Sequence, residues 1–206
     1  MNLRTSKKRF IYLISPNTIY PQFYQDLKKV LPTGKVALFQ LRLKKYSFKQ
    51  KIEIGKKIHQ ICKKNNVKFI VNDDPLLSKK LNADGCHLGQ KDMDIKNARK
   101  IIGNKIIGIT CHNSIKLAKS AIKENADYIA FGAFFSTTTK KVKFKADIKI
   151  LNKIKKLTKT SIVAIGGINF DNYKKLLLNN TNLLAISSYV WNNKKYKPLE
   201  AIEKIK

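Results

Sequence analysis

Short apolar runs alternate with longer helical stretches along the whole chain. The apolar runs predict strands at Phe10–Ser15, Lys35–Arg42, Val67–Asn72, Gly85–Leu88, Lys105–Thr110, Tyr128–Gly132, Ser161–Ile165 and Leu183–Ser187. The stretches between them predict helices near 21–31, 47–64, 75–82, 94–102, 114–124, 146–158, 170–179 and 195–205. Runs such as 106–109 and 162–165 are apolar on both faces, which is typical of strands buried in a parallel sheet. Eight strand–helix units predict an α/β fold, a closed (β/α)8 TIM barrel that forms a single domain over residues 1–206.

Side chains that cap helices mark several of the predicted helix starts. Ser47, Ser114 and Asp171 each stand just before a helical stretch, where a side-chain oxygen accepts hydrogen bonds from free backbone N–H groups. Asp74 immediately precedes Pro75, a residue that suits the first turn of a helix. We therefore expect Asp74 to cap a helix rather than to bind a metal.

The charge balance changes this picture less than its size suggests. The 206 residues include 43 Lys and Arg but 13 Asp and Glu, a formal net charge of +30. Such a charge favours nucleic-acid binding. However, the only arginines are Arg4, Arg9, Arg42 and Arg99, and the lysines are scattered over the predicted helices. Abundant Lys, Asn and Ile are typical of an AT-biased genome, so we expect no specific nucleic-acid partner.

Neither a membrane segment nor a disulfide framework is predicted. No apolar run approaches the roughly 20 residues that span a membrane. The basic N-terminus before Phe10–Ile14 resembles a signal peptide, but the run is short and no small-residue cleavage site follows. Cys62, Cys86 and Cys111 form no CxxC pair, which argues against disulfides and structural zinc. We expect a cytoplasmic protein with no membrane partner.

Candidate chemistry follows the predicted strands, because TIM barrels build their active sites at the carboxyl ends of the strands. Strand 2 ends with Gln40, Arg42 and Lys44 alternating with Leu41 and Leu43, which places the three polar side chains on one side. Arginine is scarce here, so its presence at a buried strand is informative. The segment predicts a cationic clamp for phosphate oxygens, and a solvated strand end is the alternative.

Acidic residues follow the next two strands. Asn72 and Asp73 end strand 3, and Asp92 comes shortly after strand 4. Carboxylates beside phosphate-binding cations favour Mg²⁺, which takes one or two carboxylates together with phosphate and water. His87, on strand 4, suits a structural hydrogen bond as well as acid–base work.

A second anion site is predicted from the later strands. Gly166 and Gly167 follow strand 7, while Ile186 and Ser187 end strand 8. Backbone N–H groups and a hydroxyl at these two strand ends form the usual phosphate site of this architecture. The loop after strand 6 adds further oxyanion donors, namely the hydroxyls and the amine of residues 137–140.

These motifs together resemble the thiamine-phosphate synthase family of the TenI superfamily. The resemblance runs from about Phe10 to Val190. It rests on five motifs in order, which are Gln-x-Arg-x-Lys at 40–44, Asn-Asp at 72–73, Ala-Asp-Gly-x-His-x-Gly-Gln-x-Asp at 83–92, Thr-x-Thr-Lys at 137–140 and Ile-Gly-Gly-Ile at 165–168.

The resemblance implies a transferase that condenses hydroxymethylpyrimidine diphosphate with hydroxyethylthiazole phosphate, with Mg²⁺ as cofactor. It implies catalytic roles for Arg42, Lys44, Thr110 and Lys140. It implies substrate binding by Gln40, Arg42, Lys44, Asn72, Thr110, Thr137, Thr139, Lys140, Gly167, Ile186 and Ser187, the last three toward the thiazole phosphate. It also implies that Asp73 and Asp92 hold the metal.

Some positions differ from the family pattern, and other functions stay open. Thr110 stands where the family usually has Ser, Leu43 where Glu is common, and 182–184 where Ala-Asp-Gly is usual. A thiazole tautomerase of the same superfamily is the nearest alternative, although it does not need the diphosphate clamp. A basic nucleic-acid-binding protein is the distant alternative. The sequence leaves open whether the chain forms a homo-oligomer.

Overall fold

Eight parallel strands close into a barrel in the computed structural model, which describes residues 9–136 and 144–206. The strands are β1 (Ile11–Ile14), β2 (Val36–Leu41), β3 (Lys68–Asn72), β4 (Gly85–Leu88), β5 (Ile106–His112), β6 (Tyr128–Phe131), β7 (Ser161–Ile165) and β8 (Leu183–Ile186). Each strand pairs with the next along the chain, and β8 pairs with β1. The predicted (β/α)8 fold is confirmed, and every predicted strand end lies within two residues of the observed one.

Helices connect successive strands on the outside of the barrel. They are α1 (Phe23–Val30), α2 (Phe48–Lys64), α3 (Pro75–Lys80), α4 (Ile95–Ile102), α5 (Ile115–Lys123), α6 (Lys149–Lys155), α7 (Tyr173–Leu177), α8 (Ser188–Trp191) and α9 (Pro198–Lys204), with a 3-10 turn at Leu31–Thr33. The short α8 directly after β8 was not predicted. In the part of the chain that the structure describes, no helix combines the length and the apolar character of a membrane span.

The predicted helix caps are confirmed at two positions and wrong at a third. The hydroxyls of Ser47 and Ser114 each accept a hydrogen bond from a first-turn backbone N–H, at 3.3 Å. Asp171 does not cap α7, which begins at Tyr173. The reason is a turn before the helix, in which the Asn169 N–H donates to Oδ1 of Asn172 at 2.9 Å and Asn172 takes the cap position.

The apolar residues of the strands divide into two layers. Residues such as Leu13 and Phe69 pack outward with the helices, whereas Tyr12, Leu38 and Tyr128 belong to a separate cluster inside the barrel. This division follows from the pleat of a strand, which sends successive side chains to opposite faces. The three cysteines are buried free thiols, as the sequence predicts.

The amino ends of β4, β6 and β8 share one hydrogen-bonding device. The residue before such a strand accepts a bond from a backbone N–H of the preceding strand. Asp84 accepts from Phe69, Asp127 from Ile107 and Asn182 from Ile162, at 2.8, 2.9 and 2.8 Å. The amide oxygen of Asn182 therefore accepts the same backbone hydrogen bond that an aspartate carboxylate accepts in the other two units. Because this device lies at the end of the barrel opposite the candidate site, the sequence departure at 182–184 concerns strand pairing.

Candidate active site

The carboxyl end of the barrel gathers the predicted site residues that the structure describes. They are Gln40 on β2, Arg42 and Lys44 after β2, Asn72 and Asp73 at the end of β3, Asp92 after β4, Thr110 on β5, Gly167 after β7, and Ile186 and Ser187 at the end of β8. All these strands run in parallel, so their carboxyl ends share one rim. Three further predicted residues, Thr137, Thr139 and Lys140, lie outside the described residues.

Arg42 is held in place by the loop after β1. Its backbone N–H donates to the Ser15 hydroxyl at 2.9 Å, and its Nη1 donates to Oδ1 of Asn17 at 3.0 Å. Burial lowers the pKa of the Arg42 guanidinium, while the nearby Asp73 raises it. An arginine has so high an ordinary pKa that it stays charged here. Arg42 is thus a half-buried, oriented cation at the rim.

Lys44 connects the cations of the rim to its carboxylates. Its Nζ lies 3.2 Å from Oδ2 of Asp73, and its side chain is otherwise exposed. A cleft of about 280 Å³ opens beside Lys44, Asn72 and Asp73. A lysine paired with a carboxylate at the surface contributes little to stability. Its position above a cleft is better suited to binding an anion.

The turn after β3 gives its two aspartates different tasks. Asp74 caps α3, as predicted, because its Oδ1 accepts a hydrogen bond from the Leu77 N–H at 2.9 Å. Asp73 has a φ of 64°, a left-handed conformation that Asp tolerates better than most residues. Its backbone N–H donates to the His87 carbonyl at 2.8 Å. This turn leaves the Asp73 carboxylate facing the rim and the Lys44 amine.

Asp73 and Asp92 form a pair of interacting carboxylates. Oδ2 of Asp92 accepts a hydrogen bond from the Gly89 N–H at 2.7 Å. Burial raises the pKa of Asp92 and the Asp73 carboxyl raises it further, whereas the Gly89 N–H and Lys44 lower it. Two facing carboxylates oppose each other's ionisation unless a cation offsets their charge.

The donors at this pair fit Mg²⁺. Within residues 9–136 and 144–206, no group of three or more His, Cys, Asp or Glu side chains is placed to hold a metal ion. Mg²⁺ is commonly bound by one or two carboxylates, and phosphate and water supply its remaining ligands.

A chain of hydrogen-bonded side chains crosses the interior of the barrel beneath the rim. Gln40 Nε2 lies 2.7 Å from Tyr12 Oη, which lies 2.8 Å from Tyr128 Oη. Tyr128 Oη lies 2.9 Å from His87 Nδ1, and His87 Nε2 lies 2.8 Å from Thr110 Oγ1. Burial lowers the pKa of His87 to about 4, so the ring is neutral near pH 7. Both tyrosines were missed by the sequence analysis, which placed them within predicted strands and gave them no role in the site.

The ends of β7 and β8 form the second predicted anion site. Gly167 has a φ of 63°, and a Cβ atom there would lie 2.1 Å from the Ser136 carbonyl oxygen, so only glycine fits. Ser187 follows β8 at the start of α8 and donates its hydroxyl to the Ser15 carbonyl at 3.2 Å. Because β7 pairs with β8, Gly167 and Ser187 follow neighbouring strands. Ile186, the last residue of β8, is buried.

The family model described as thiamine monophosphate synthase matches residues 11–190. The chain belongs to the thiamine monophosphate synthase family. The thiamine-phosphate synthase of Pelagibacter ubique is 66% identical over 200 residues, which cover 97% of each chain. That of Rhodospirillum centenum is 39% identical over 89% of each chain. A thiamine phosphate pyrophosphorylase structure from Pyrococcus furiosus superimposes with a TM-score of 0.85 at 30% identity, covering 96% of this chain and 94% of that one.

Family membership confirms the resemblance predicted from the five motifs. The family-model match ends at Val190, the residue at which the predicted resemblance also ends. The roles of individual residues within this thiamine monophosphate synthase family site stay predictions, because the similarity concerns whole chains. What the structure adds is their grouping, with Arg42 and Lys44 beside Asp73 and Asp92 at one part of the rim.

Proposed function

We propose that the protein is a transferase that joins hydroxymethylpyrimidine diphosphate to hydroxyethylthiazole phosphate, giving thiamine phosphate and diphosphate. The observation that carries this proposal is the grouping of Arg42 and Lys44 with two carboxylates at the rim. A departing diphosphate needs such cations and a metal, whereas an isomerase of the thiazole ring alone needs neither. The relatives that are thiamine-phosphate synthases support the same reaction.

The reaction requires one bond to break and one to form. The bond between the pyrimidine methylene carbon and the diphosphate oxygen breaks, and its electron pair leaves with the diphosphate. The thiazole nitrogen then gives its lone pair to the methylene carbon and becomes positively charged. No proton changes place in either step. A neutral, buried His87 is consistent with this chemistry, because no acid–base group is needed at the reacting carbon.

The cations of the rim act on the leaving group. Arg42 is oriented by Ser15 and Asn17, so it meets the diphosphate oxygens without reorganisation. Lys44 adds a second positive charge, and Asn72 and Gln40 add amide donors. Lys140, Thr137 and Thr139, known here from the sequence motif alone, would complete the diphosphate site.

Asp73 and Asp92 would hold Mg²⁺. When bound, the ion neutralises charge that develops on the departing diphosphate. The charge of the cation would also offset that of the two carboxylates beside the leaving group. At the other side of the rim, the Gly167 backbone, Ile186 and the Ser187 hydroxyl hold the thiazole phosphate, which is unchanged by the reaction.

The proposal extends to the setting of the enzyme. The chain forms one catalytic domain over residues 1–206. It works in the cytoplasm on small phosphorylated substrates. The three buried free thiols are consistent with a reducing compartment.

Two reactions run side by side test the function. Purified protein with both substrates and Mg²⁺ should form thiamine phosphate. The same protein with a thiazole carboxylate phosphate and no pyrimidine substrate should leave that compound unchanged. Isomerisation of the thiazole compound without thiamine phosphate formation would identify a tautomerase instead and would leave the clamp without a purpose.

A further inference from the structure

Five side chains form the hydrogen-bonded chain that crosses the barrel interior. At any moment, its hydrogen bonds point the same way from donor to acceptor along the chain. Each tyrosine hydroxyl has one hydrogen to donate, and a neutral imidazole has one N–H and one acceptor nitrogen. A tyrosine that accepts from one neighbour and uses its own hydrogen within the chain therefore donates to the other. The hydrogen positions along the whole chain follow from a single choice at its first member, Gln40.

The orientation of the Gln40 amide makes that choice. Its Nε2 faces Tyr12 Oη at 2.7 Å, and an amide nitrogen only donates. Tyr12 accordingly donates to Tyr128 at 2.8 Å. Tyr128 then donates to Nδ1 of His87 at 2.9 Å, which leaves the imidazole hydrogen on Nε2. That hydrogen points to Oγ1 of Thr110 at 2.8 Å.

The position of the Tyr128 ring in this chain depends on a glycine in the neighbouring strand. Gly108 pairs with Tyr128, and a Cβ atom at 108 would lie 1.8 Å from the ring carbon that carries the hydroxyl. The ring thus lies over the Gly108 backbone, where its hydroxyl reaches both Tyr12 and His87. Any larger residue at 108 would displace this link.

We propose that this chain holds His87 in the tautomer that carries its hydrogen on Nε2, and thereby directs the Thr110 hydroxyl hydrogen to the departing diphosphate. The inference rests on the proposed function for the identity of the acceptor. Thr110 is then a catalytic donor, while His87 and Tyr128 are positioning residues. With the opposite direction, Thr110 would donate to His87 and present only lone pairs to an anion, which would repel it.

The tautomer is measurable in the free protein without any substrate. Nitrogen NMR of histidine-labelled protein near neutral pH reports which ring nitrogen carries hydrogen, and His87→Gln assigns the signal among the three histidines. The expected result is hydrogen on Nε2 and none on Nδ1. Hydrogen on Nδ1, in a neutral or a charged ring, would overturn the proposal. This test needs only the wild-type spectrum and the His87→Gln spectrum, in which the His87 signal is absent.

Two phenylalanine variants separate direction from simple packing. Tyr128→Phe removes the donor to Nδ1, so His87 should change to a mixture of tautomers. Tyr12→Phe keeps the ring but separates Tyr128 from Gln40, so the direction is no longer imposed on Tyr128 and the His87 tautomer should become mixed here as well. A tautomer that is unaffected by Tyr128→Phe would contradict the proposed chain.

Turnover tests the catalytic part. Thr110→Val removes the hydroxyl with little change in volume, and kcat should fall on the order of 100-fold while KM for the pyrimidine substrate changes little. Thr110→Ser restores the donor and should restore most of the turnover. Equal kcat in Thr110→Val and wild type would overturn the inference while leaving the synthase assignment intact. A wild-type protein that makes no thiamine phosphate would overturn the proposed function, whereas the tautomer result would stand by itself.

Discussion

Lys44 Nζ lies 3.2 Å from Oδ2 of Asp73, so the predicted diphosphate clamp and the predicted metal ligands are one connected group. The two residues follow successive strands in the sequence, and the parallel barrel brings the ends of those strands together. A surface pair of this kind separates at little cost when a stronger partner arrives. A diphosphate with its metal offers a partner to each member of the pair.

The first prediction concerns the clamp. Arg42→Ala should lower kcat/KM for the pyrimidine substrate by on the order of 100-fold or more, about 3 kcal/mol, because a preorganised charged donor to the leaving group is lost. Steady-state diphosphate release measures this. Lys45→Ala is the matched control, since Lys45 is an exposed cation on the same loop. An Arg42→Ala enzyme as active as the Lys45→Ala enzyme would show that Arg42 holds no leaving group.

The second prediction concerns the metal. Asp92→Asn should shift the dependence of the initial rate to higher Mg²⁺ concentration, because one of two carboxylate ligands loses its charge. Asp94→Asn is the control two residues away, since Asp94 caps α4 and asparagine caps a helix equally well. Full activity of the wild-type enzyme in excess chelator would contradict the metal assignment.

The third prediction concerns the thiazole phosphate. Ser187→Ala should raise KM for that substrate by roughly tenfold, the effect of one hydrogen bond to a charged group, and should change kcat little. The contact is to a phosphate that does not react, so ground state and transition state lose it equally. Ser120→Ala, on α5, provides the control. A fall in kcat at constant KM would place Ser187 at the reacting centre instead.

The barrel and its rim could be predicted because they depend on local patterns. Strand ends were predicted within two residues from apolar runs alone, and polar residues next to those ends identified the site. The hydrogen-bonded chain was not predicted, because Tyr12 and Tyr128 are 116 positions apart and meet only when the barrel closes. A signal was available in the form of polar atoms on buried strands, namely those of Tyr12, Gln40, His87 and Tyr128.

The role of Asn182 also required the structure. The sequence shows only that 182–184 departs from the Ala-Asp-Gly pattern, and it gives no reason to expect the same function from asparagine. The structure shows its amide oxygen 2.8 Å from the Ile162 N–H, in the position of the two aspartates. This position requires a hydrogen-bond acceptor but not a negative charge.

The fourth prediction concerns this device at the amino ends of the strands. Asp127 also pairs with Arg99 at 2.7 Å, so Asp127→Ala removes the carboxylate from a guanidinium that keeps its backbone carbonyl partners, and it leaves the Ile107 N–H without its side-chain acceptor. We expect a loss of about 3 kcal/mol in the free energy of unfolding, because a charged and a neutral hydrogen bond are lost together. Asn182→Ala should cost about 1–3 kcal/mol, because only one neutral hydrogen bond is lost.

Denaturant unfolding gives both values, and KM values measured on the folded fraction should match those of the wild type. Equal losses for the two variants would show that the Arg99 pair adds nothing. A change in KM would show that this end of the barrel is coupled to the opposite rim.

The central claim is that one reaction breaks the bond to diphosphate and joins the two rings. The most direct measurement quantifies thiamine phosphate and diphosphate in the same reaction of purified protein with both substrates and Mg²⁺. The account predicts that the two products appear in equal amounts and at equal rates. Diphosphate without thiamine phosphate, or neither product, would contradict it.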